Sequence, residues 1–207
     1  MAVVPGRTSE RLRAAFGDVD IYLFDQLLKG RFDRRRRVLD AGCGDGRNLV
    51  YLRQQGFECV GVDREPGTIA RARRDPSLPT TRAGWILAEL DALPFGPHSF
   101  DAVICSAVLH FARDGTHFIG MVREVWRVLR PDGLLLARLA SNIGLEAAIG
   151  PGGRRTRLPD GSDRFVVDEA MLLTLTDDLN ATLCDPIKTT VVSGQRCMTT
   201  WCLEKRA

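Results

Sequence analysis

The sequence predicts an α/β fold built on one doubly wound, mostly parallel sheet of seven strands that ends in an antiparallel hairpin. From residue 38 onward, short apolar runs alternate with segments whose apolar residues follow a helical period. The first apolar run breaks at three glycines spaced two apart, which is typical of a turn between a strand and a helix. Further along, Ser193 and Gly194 separate two more apolar runs, and this pair indicates a tight hairpin.

The bulk composition predicts a single domain over residues 1–207. A chain of 207 residues, 44% hydrophobic and 27% charged, can bury a substantial core. The net charge of +3 and the lack of clusters that mix aromatic and basic residues argue against a nucleic-acid partner. Because no segment has a transmembrane length or a signal-peptide pattern, we expect a cytoplasmic protein without a membrane partner, either a monomer or a homodimer.

Cysteines and histidines give no sign of a metal site. The six cysteines include no C-x-x-C pair, and the three histidines are scattered along the chain. Several cysteines fall in predicted strands. We therefore interpret them as buried free thiols and expect no bound metal.

The glycine-rich turn suggests a nucleotide-like ligand. Glycines at this point let the chain turn and let a ligand approach the backbone, and the following helix start offers free N–H groups. In the dinucleotide fingerprint G-x-G-x-x-G, the third glycine would fall at residue 47, which is Arg47 in this sequence. The third glycine here comes one residue earlier, at Gly46. Asp40 lies two residues before Gly42, where it would repel a pyrophosphate and attract an amino group. These features argue against an NAD site.

The remaining elements follow in order. Besides the strand from residue 38, we predict strands over residues 57–63, 85–88, 134–139, 189–192 and 197–203, and over residues 100–110 a strand that runs into a loop. After the helix that follows the glycine turn, we predict helices over residues 66–74, 116–130 and 168–179. For residues 9–32 we predict two helices with a kink between them. They precede the first strand, lie outside the repeating strand–helix pattern and form an N-terminal helical cover. Residues 142–164 are rich in glycine and arginine without clear periodicity, and we interpret them as a long, lid-like loop.

Several motifs together resemble the class I S-adenosylmethionine (SAM)-dependent methyltransferases. The motif Asp-x-Gly-x-Gly-x-Gly begins at Asp40, Asp63 ends the second strand, Leu93-Pro94-Phe95 follows the third, and Val-Leu-Arg-Pro-x-Gly precedes the fifth. The resemblance implies the Rossmann-like class I methyltransferase fold, SAM as the cofactor and S-adenosylhomocysteine as the product. The cofactor-binding residues it implies are Asp40, Gly42, Cys43, Gly44, Gly46, Asn48, Asp63, Arg64, Glu89, Leu90, Asp91, Cys105 and Ser106.

Within that set, the resemblance implies specific roles. Asp63 would bind the ribose hydroxyls, and the backbone around Cys105 and Ser106 would bind the amino group of SAM. An acidic residue four positions before the leucine of Leu-Pro-Phe would meet the adenine amino group. That spacing selects Glu89, with Leu90 supplying an N–H, while Asp91 remains the alternative.

The reaction implied is in-line transfer of a methyl group to a small-molecule acceptor. His110 is the candidate general base or substrate-orienting residue, although a structural role is the favoured interpretation. The sequence Gly-Arg-Asn at residues 46–48 is similar to the tellurite-resistance-type methyltransferases, which act on small inorganic or thiol-like acceptors. The candidate acceptor-pocket residues are Tyr22, Arg47, His110, Arg138 and Arg154. The alternatives are a non-catalytic SAM-binding sensor or subunit and, less favoured, an NAD-dependent oxidoreductase.

Overall fold

The computed structural model describes residues 7–74 and 84–207. Its strands are β1 Arg37–Ala41, β2 Glu58–Asp63, β3 Gly84–Leu87, β4 Phe100–Ser106, β5 Leu129–Ser141, β6 Arg154–Arg157, β7 Asp163–Val166, β8 Ala181–Leu183, β9 Lys188–Val192 and β10 Arg196–Lys205. Its α-helices are α1 Thr8–Phe16, α2 Ile21–Leu28, α3 Val50–Gln54, α4 Pro66–Arg74, α5 Gly115–Val128, α6 Glu146–Ile149 and α7 Glu169–Asp178. Single 3-10 turns lie at Arg47–Leu49 and Leu109–Phe111.

The main sheet has the strand order β3-β2-β1-β4-β5-β10-β8, and β9 also pairs with β10. Strands β1 to β5 pair in parallel, whereas β10 runs antiparallel to β5, β8 and β9. The strand order reverses between β1 and β4, and ligands of open α/β sheets bind at such a switch point, beyond the carboxyl ends of the strands. The predicted fold class and the terminal antiparallel hairpin are confirmed.

One strand of the main sheet was missing from the prediction. The described sheet has eight strands, because β8 and β9 share the outer edge of β10, pairing with residues 203–205 and 196–200 respectively. Strand β8 has only three residues, too few for an alternating pattern to be recognised in the sequence.

Two apolar clusters cover the two faces of the sheet. On one face, α5 buries Phe118, Val122 and Val125 against strand residues such as Val103 and Leu135. On the other face, Leu23 from α2 and Leu52 from α3 pack against the opposite side of β1, β4 and β5. The sheet is therefore buried on both sides, which explains its nearly continuous apolar strands.

The N-terminal cover agrees with the prediction of two helices with a break between them. Gly17 ends α1 with a φ of +66°, and Asp20 caps α2 by accepting a hydrogen bond from the Tyr22 N–H. Among the described residues no helix is long and apolar enough to cross a membrane.

Several predicted boundaries were wrong. Helix α5 ends at Val128 and not at Arg130, because Leu129 already pairs with Phe100 in the sheet. Strand β5 accordingly begins at Leu129 and not at the predicted residue 134. The long loop predicted over residues 142–164 contains the short helix α6 and the antiparallel pair β6–β7, whose second strand continues beyond it to Val166. Its small apolar core of Ile149, Leu158 and Val166 is spread too thinly along the sequence to show a period.

Candidate functional site

The glycine turn lies at the carboxyl end of β1 and is fixed to β2 by backbone hydrogen bonds. The N–H groups of Gly42 and Cys43 both donate to the carbonyl of Val62, at 2.7 and 2.9 Å. The N–H of Gly44 donates to Asp63 Oδ2 at 3.0 Å. The turn is thus held in place by the strand whose last residue is the predicted ribose ligand.

The three glycines are required for different reasons, although all have positive φ. A Cβ on Gly42 would lie 2.3 Å from the Val108 side chain, and one on Gly46 would lie 2.3 Å from the Trp85 ring. A Cβ on Gly44 would meet no atom within 4 Å and would project into open space. Gly42 and Gly46 therefore serve packing, while Gly44 leaves free the space that a ligand would use.

Two cavities meet at this turn. The first, of about 280 Å³, extends from Asp63 at the end of β2 to the residues after β4. The second, of about 680 Å³, lies between the glycine turn and the end of α1. Both are lined by Gly42 and Ser106. Together they are lined by nine of the thirteen predicted cofactor residues, namely Gly42, Cys43, Gly44, Asn48, Asp63, Arg64, Glu89, Leu90 and Ser106.

Asp63 and Glu89 lie where a nucleoside would be held in the first cavity. Each Asp63 oxygen accepts a backbone N–H, one from Gly44 and one from Glu65, so the carboxylate is fixed in orientation. Glu89 lines the cavity, whereas Asp91 does not and lies 3.4 Å from His117 Nε2 and 3.8 Å from Arg113. The geometry thus favours Glu89 over Asp91 for the predicted adenine contact.

Asp40 lies beneath the turn. Its side chain is fully buried and lines neither cavity. Neither carboxylate oxygen has a hydrogen-bond partner among the described residues. Burial raises the pKa of Asp40 to about 7, and the neighbouring Arg47 opposes that rise. A buried carboxyl group without a partner next to a cavity fits a ligand that brings positive charge, as SAM does with its ammonium and sulfonium groups.

Cys105 and Ser106, at the end of β4, lie in different environments. The Cys105 thiol is buried against the Ala41 carbonyl, 3.7 Å away, and lines no cavity described here. Burial raises the pKa of this thiol and of Cys43 well above the ordinary value, so both are inert neutral groups. Ser106 faces the junction of the two cavities, and its hydroxyl donates to Asp20 Oδ2 at 2.9 Å.

Asp20 is a central residue of the site that the sequence analysis missed. It is 6% exposed, and its Oδ2 lies 3.5 Å from Arg47 and 3.6 Å from Arg138 in addition to the Ser106 bond. It therefore joins the N-terminal cover to the ends of β4 and β5. Its position directly before α2 is an N-cap signature that could have been read in the sequence, but its partners lie far away in the chain.

A third cavity, of about 310 Å³, adjoins the first and shares Ala107 and Phe111 with it. His110 and Arg138 line it as predicted, and Arg164 and Arg196 line it as well. Tyr22 packs its ring against the Arg138 guanidinium and hydrogen-bonds Thr190 without lining this cavity. The two additional arginines come from β7 and β10, 32 positions apart, and no local pattern in the sequence connects them.

Two of the predicted acceptor residues lie elsewhere. Arg47 lines the second cavity and donates to the Asp18 carbonyl. Arg154 lines none of the three cavities; it lies exposed on β6 with its guanidinium near Gly150. The adjacent Arg155 instead fastens the β6–β7 pair by donating to the Ala112 carbonyl at 3.2 Å.

His110 is 5% exposed, and its Nδ1 has no hydrogen-bond partner among the described residues. Burial, reinforced by Arg164, Arg138 and Arg196, lowers the pKa of His110 to about 3. The imidazole is therefore neutral near pH 7, where it is a poor general base but can still donate one hydrogen bond. Within residues 7–74 and 84–207, no group of three His, Cys, Asp or Glu side chains is arranged to hold a metal ion.

The site can position two ligands end to end. The first two cavities offer a carboxylate for hydroxyl groups, backbone N–H groups and a buried acidic group. The third offers cationic and apolar side chains directly next to them. Such an arrangement suits a group transfer that depends mainly on proximity and alignment with water excluded.

Residues 39–137 match a family model described as "Methyltransferase domain". The chain is 34% identical over 112 residues to an uncharacterized methyltransferase, YodH, of Bacillus subtilis, covering 54% of this chain and 43% of that protein. It thus spans less than half the length of this curated relative. The family resemblance drawn from the sequence motifs is confirmed over this region.

Solved structures extend the likeness of the fold over nearly the whole chain. The PH0226 protein of Pyrococcus horikoshii superposes with a TM-score of 0.70 at 20% identity, covering 98% of this chain and all of that one. The 1,6-didemethyltoxoflavin-N1-methyltransferase of Burkholderia thailandensis, solved with 1,6-didemethyltoxoflavin and S-adenosylhomocysteine bound, superposes with a TM-score of 0.67 at 19% identity. That match covers 100% of this chain and 94% of the other.

Proposed function

We propose, from the premise that this chain belongs with the class I SAM-dependent methyltransferases, that it transfers a methyl group from SAM to a small-molecule acceptor. The observation that carries the proposal is the space in front of Gly44. There, a backbone N–H already fixed by Asp63 lies next to a region that no side chain fills, and two cavities lead away from it.

The described residues divide the cofactor between the two cavities. Asp63 accepts hydrogen bonds from the ribose hydroxyls, and Glu89 with Leu90 faces the adenine, all in the first cavity. The methionine portion extends past Gly44 and Ser106 into the second cavity, above the buried Asp40. When bound, SAM supplies a methyl group on a positively charged sulfur.

The chain's own contribution to the reaction is alignment and exclusion of water. Ser106 lines both the first and the second cavity, and Phe111 lines both the first and the third, so an acceptor in the third cavity lies next to the first. His110 acts there as a neutral hydrogen-bonding group that orients the acceptor and not as the proton acceptor.

A small acceptor is supported by the size of the third cavity and by one structural neighbour. At about 310 Å³ the cavity admits a molecule of small-metabolite size. The Burkholderia thailandensis neighbour, whose title names the small molecule 1,6-didemethyltoxoflavin, has a similar fold over almost the same length.

Calorimetric titration with S-adenosylhomocysteine, with NAD alongside, tests the cofactor. We expect S-adenosylhomocysteine to bind with a micromolar dissociation constant and NAD to show no binding. Binding of NAD alone would replace the proposal with the oxidoreductase alternative. If neither binds, the cofactor assignment fails.

A non-catalytic SAM-binding protein is the second candidate, because the pKa of about 3 at His110 leaves the third cavity without an effective base there. Release of S-adenosylhomocysteine from SAM on addition of a screened acceptor distinguishes the two. An enzyme turns over repeatedly, whereas a sensor or subunit binds SAM without consuming it.

A further inference from the structure

The third cavity has a charge pattern that its neighbours lack. The guanidinium groups of Arg138, Arg164 and Arg196 converge on it from β5, β7 and β10, and none of the described residues lining it is acidic. Two of these cations are partly balanced from outside the cavity: Arg138 lies 3.6 Å from Asp20 and Arg196 lies 3.4 Å from Asp160. Arg164 forms no ion pair with any carboxylate among the described residues.

Two buried polar atoms in this cavity lack partners. Neither His110 Nδ1 nor Arg138 Nε has a hydrogen-bond partner among the described residues, and both atoms are inaccessible to solvent. Both groups would gain from a hydrogen-bond partner, which a ligand can provide only if their side chains move to expose these two atoms. The three arginines that line the cavity indicate a ligand that accepts hydrogen bonds and carries negative charge.

The rest of the lining is mainly apolar, with one polar residue, Ser162. Phe111, Leu158, Val192 and Met198 line the cavity, as do Ala107 and Ala140. Arg164, which also lines the cavity, stacks its guanidinium over the Phe111 ring at 4.9 Å and donates from Nη1 to the Asp163 carbonyl at 2.8 Å. A ligand here would therefore have an apolar body and an anionic end.

The wall that carries Arg164 is a packed part of the molecule. Phe165, next to it in β7, stacks on Phe118 of α5 with ring centroids 4.8 Å apart and is fully buried. Arg155 ties the same β6–β7 pair to the Ala112 carbonyl. The strand that carries Arg164 is consequently held in position before a ligand arrives, which lowers the entropy cost of binding.

We infer that the third cavity selects a carboxylic acid with a compact apolar body as the methyl acceptor, its carboxylate held by Arg138, Arg164 and Arg196 with His110 as a neutral hydrogen-bond donor. This inference rests on the proposed function for the identity of the acceptor. The binding of the anion itself depends only on the side chains named.

Matched pairs of acids and amides test the charge requirement. Benzoate, 3-phenylpropionate and hexanoate, each compared with its primary amide, are titrated into the protein with and without saturating S-adenosylhomocysteine at pH 7.5. We expect at least one acid to bind at least tenfold more tightly than its amide, with an affinity that decreases as salt increases. If none of the acids binds more tightly than its amide, the inference is wrong.

Two arginine variants locate the effect. Arg164→Gln should weaken binding of the preferred acid about tenfold and leave that of its amide unchanged, because the lost interaction is a charged hydrogen bond. Arg157→Gln is the matched control, since Arg157 lies exposed on the adjacent strand, pairs with Asp163 and lines none of the cavities. Equal effects of the two variants would overturn the assignment of the anion to this cavity.

Binding of S-adenosylhomocysteine and the preference for acids over amides are measured separately, and each tests a different proposal. Binding of S-adenosylhomocysteine without any preference for acids would leave the cofactor assignment intact and remove only the acceptor class. A preference for acids in a protein that does not bind S-adenosylhomocysteine would retain the anion site and remove the methyltransferase proposal.

Discussion

At the scale of single residues, the site consists of groups whose environment changes their ordinary chemistry. Asp40 is a buried acid with a pKa of about 7, and His110 is a buried base with a pKa of about 3. At physiological pH His110 is therefore neutral and Asp40 is only partly ionised, although the sequence shows an ordinary histidine and aspartate. Burial is the largest cause in each case, and burial is a property of the folded chain alone.

Asp40 should make the stability of the ligand-free protein depend on pH. In the unfolded chain it releases its proton near pH 4, whereas in the folded protein it retains the proton until about pH 7. The folded state binds more protons in this window, so this group lowers stability as pH rises from 4 to 7. Asp40→Asn removes the effect, and we expect the variant to gain roughly 2–3 kcal/mol relative to wild type between pH 5 and pH 8.

Urea denaturation of both proteins at pH 5 and pH 8 measures this difference. Parallel changes in wild type and variant would show that the carboxyl group is not buried as described. In the same variant, the affinity for S-adenosylhomocysteine should fall three- to tenfold, roughly 0.7–1.4 kcal/mol, because the amide no longer attracts the ligand's ammonium.

Gly44 gives a second test at this scale. An alanine there adds a Cβ that meets no protein atom but enters the proposed ligand space, and its φ of +53° adds a backbone cost of about 1 kcal/mol. We expect Gly44→Ala to fold, to lose about 1 kcal/mol of stability and to bind S-adenosylhomocysteine at least tenfold more weakly, as measured by denaturation and calorimetry.

Gly56 is the matched control for that substitution. It has a φ of +82°, a Cβ on it would also meet nothing within 4 Å, and it lies after α3, outside the three cavities. Gly56→Ala should show the same loss of stability with unchanged affinity. Equal affinities of the two variants would contradict the placement of the ligand in front of Gly44.

At the scale of elements, the N-terminal cover is attached to the sheet through Asp20, the residue directly before its second helix. Asp20 caps α2 and also accepts the Ser106 hydroxyl, while its own N–H donates to Asn48 Oδ1 at 3.1 Å. Helix α1 contributes no fully buried residue. The position of the cover over the second cavity therefore depends on Asp20, on the Arg47 bond to the Asp18 carbonyl, on the packing of Phe16 against Tyr51 and on the apolar residues of α2.

Replacing Asp20 should cost far more than replacing its neighbour Asp18. Asp20→Ala removes the helix cap and leaves the Ser106 hydroxyl and Arg138 without their partner, so we expect a loss of about 2–3 kcal/mol. Asp18→Ala removes only an exposed ion pair with Arg13 and should change stability by about 0.5 kcal/mol or less. Chemical denaturation of both variants measures the difference, and similar losses would argue against the role of Asp20.

Apolar patterns in the sequence predict some of the strands and helices and miss others. Strands β1, β2, β4 and β10 were predictable because each is a run of buried apolar residues, and α5 because its apolar residues follow the helical period. The β6–β7 pair was missed because Arg154–Arg157 is almost entirely charged and folds through its pairing with β7. Pairing with a partner strand leaves little trace in local composition.

At the scale of the whole molecule, dependence on local motifs or on long-range contacts distinguishes the two halves of the proposed site. The proposed cofactor half is assembled from one turn and two strand ends, each with its own local motif, and most of the residues predicted for it line the first two cavities. The proposed acceptor half brings together Arg138, Arg164 and Arg196 from three strands. These residues become neighbours only in the fold, so no local pattern in the sequence points to Arg164, whereas the predicted Arg154 lies outside the three cavities.

The position of β10 inside the sheet has a consequence for the order of events during synthesis on the ribosome. Strands β5, β8 and β9 are all complete before residues 196–205 are translated, yet each of them pairs with those residues. Until then β5 exposes a long unpaired edge, and β8 and β9 have no sheet neighbour among the described strands. The outer half of the sheet therefore cannot close until residues 196–205 have been translated, so the order of synthesis leaves completion of the sheet to β10.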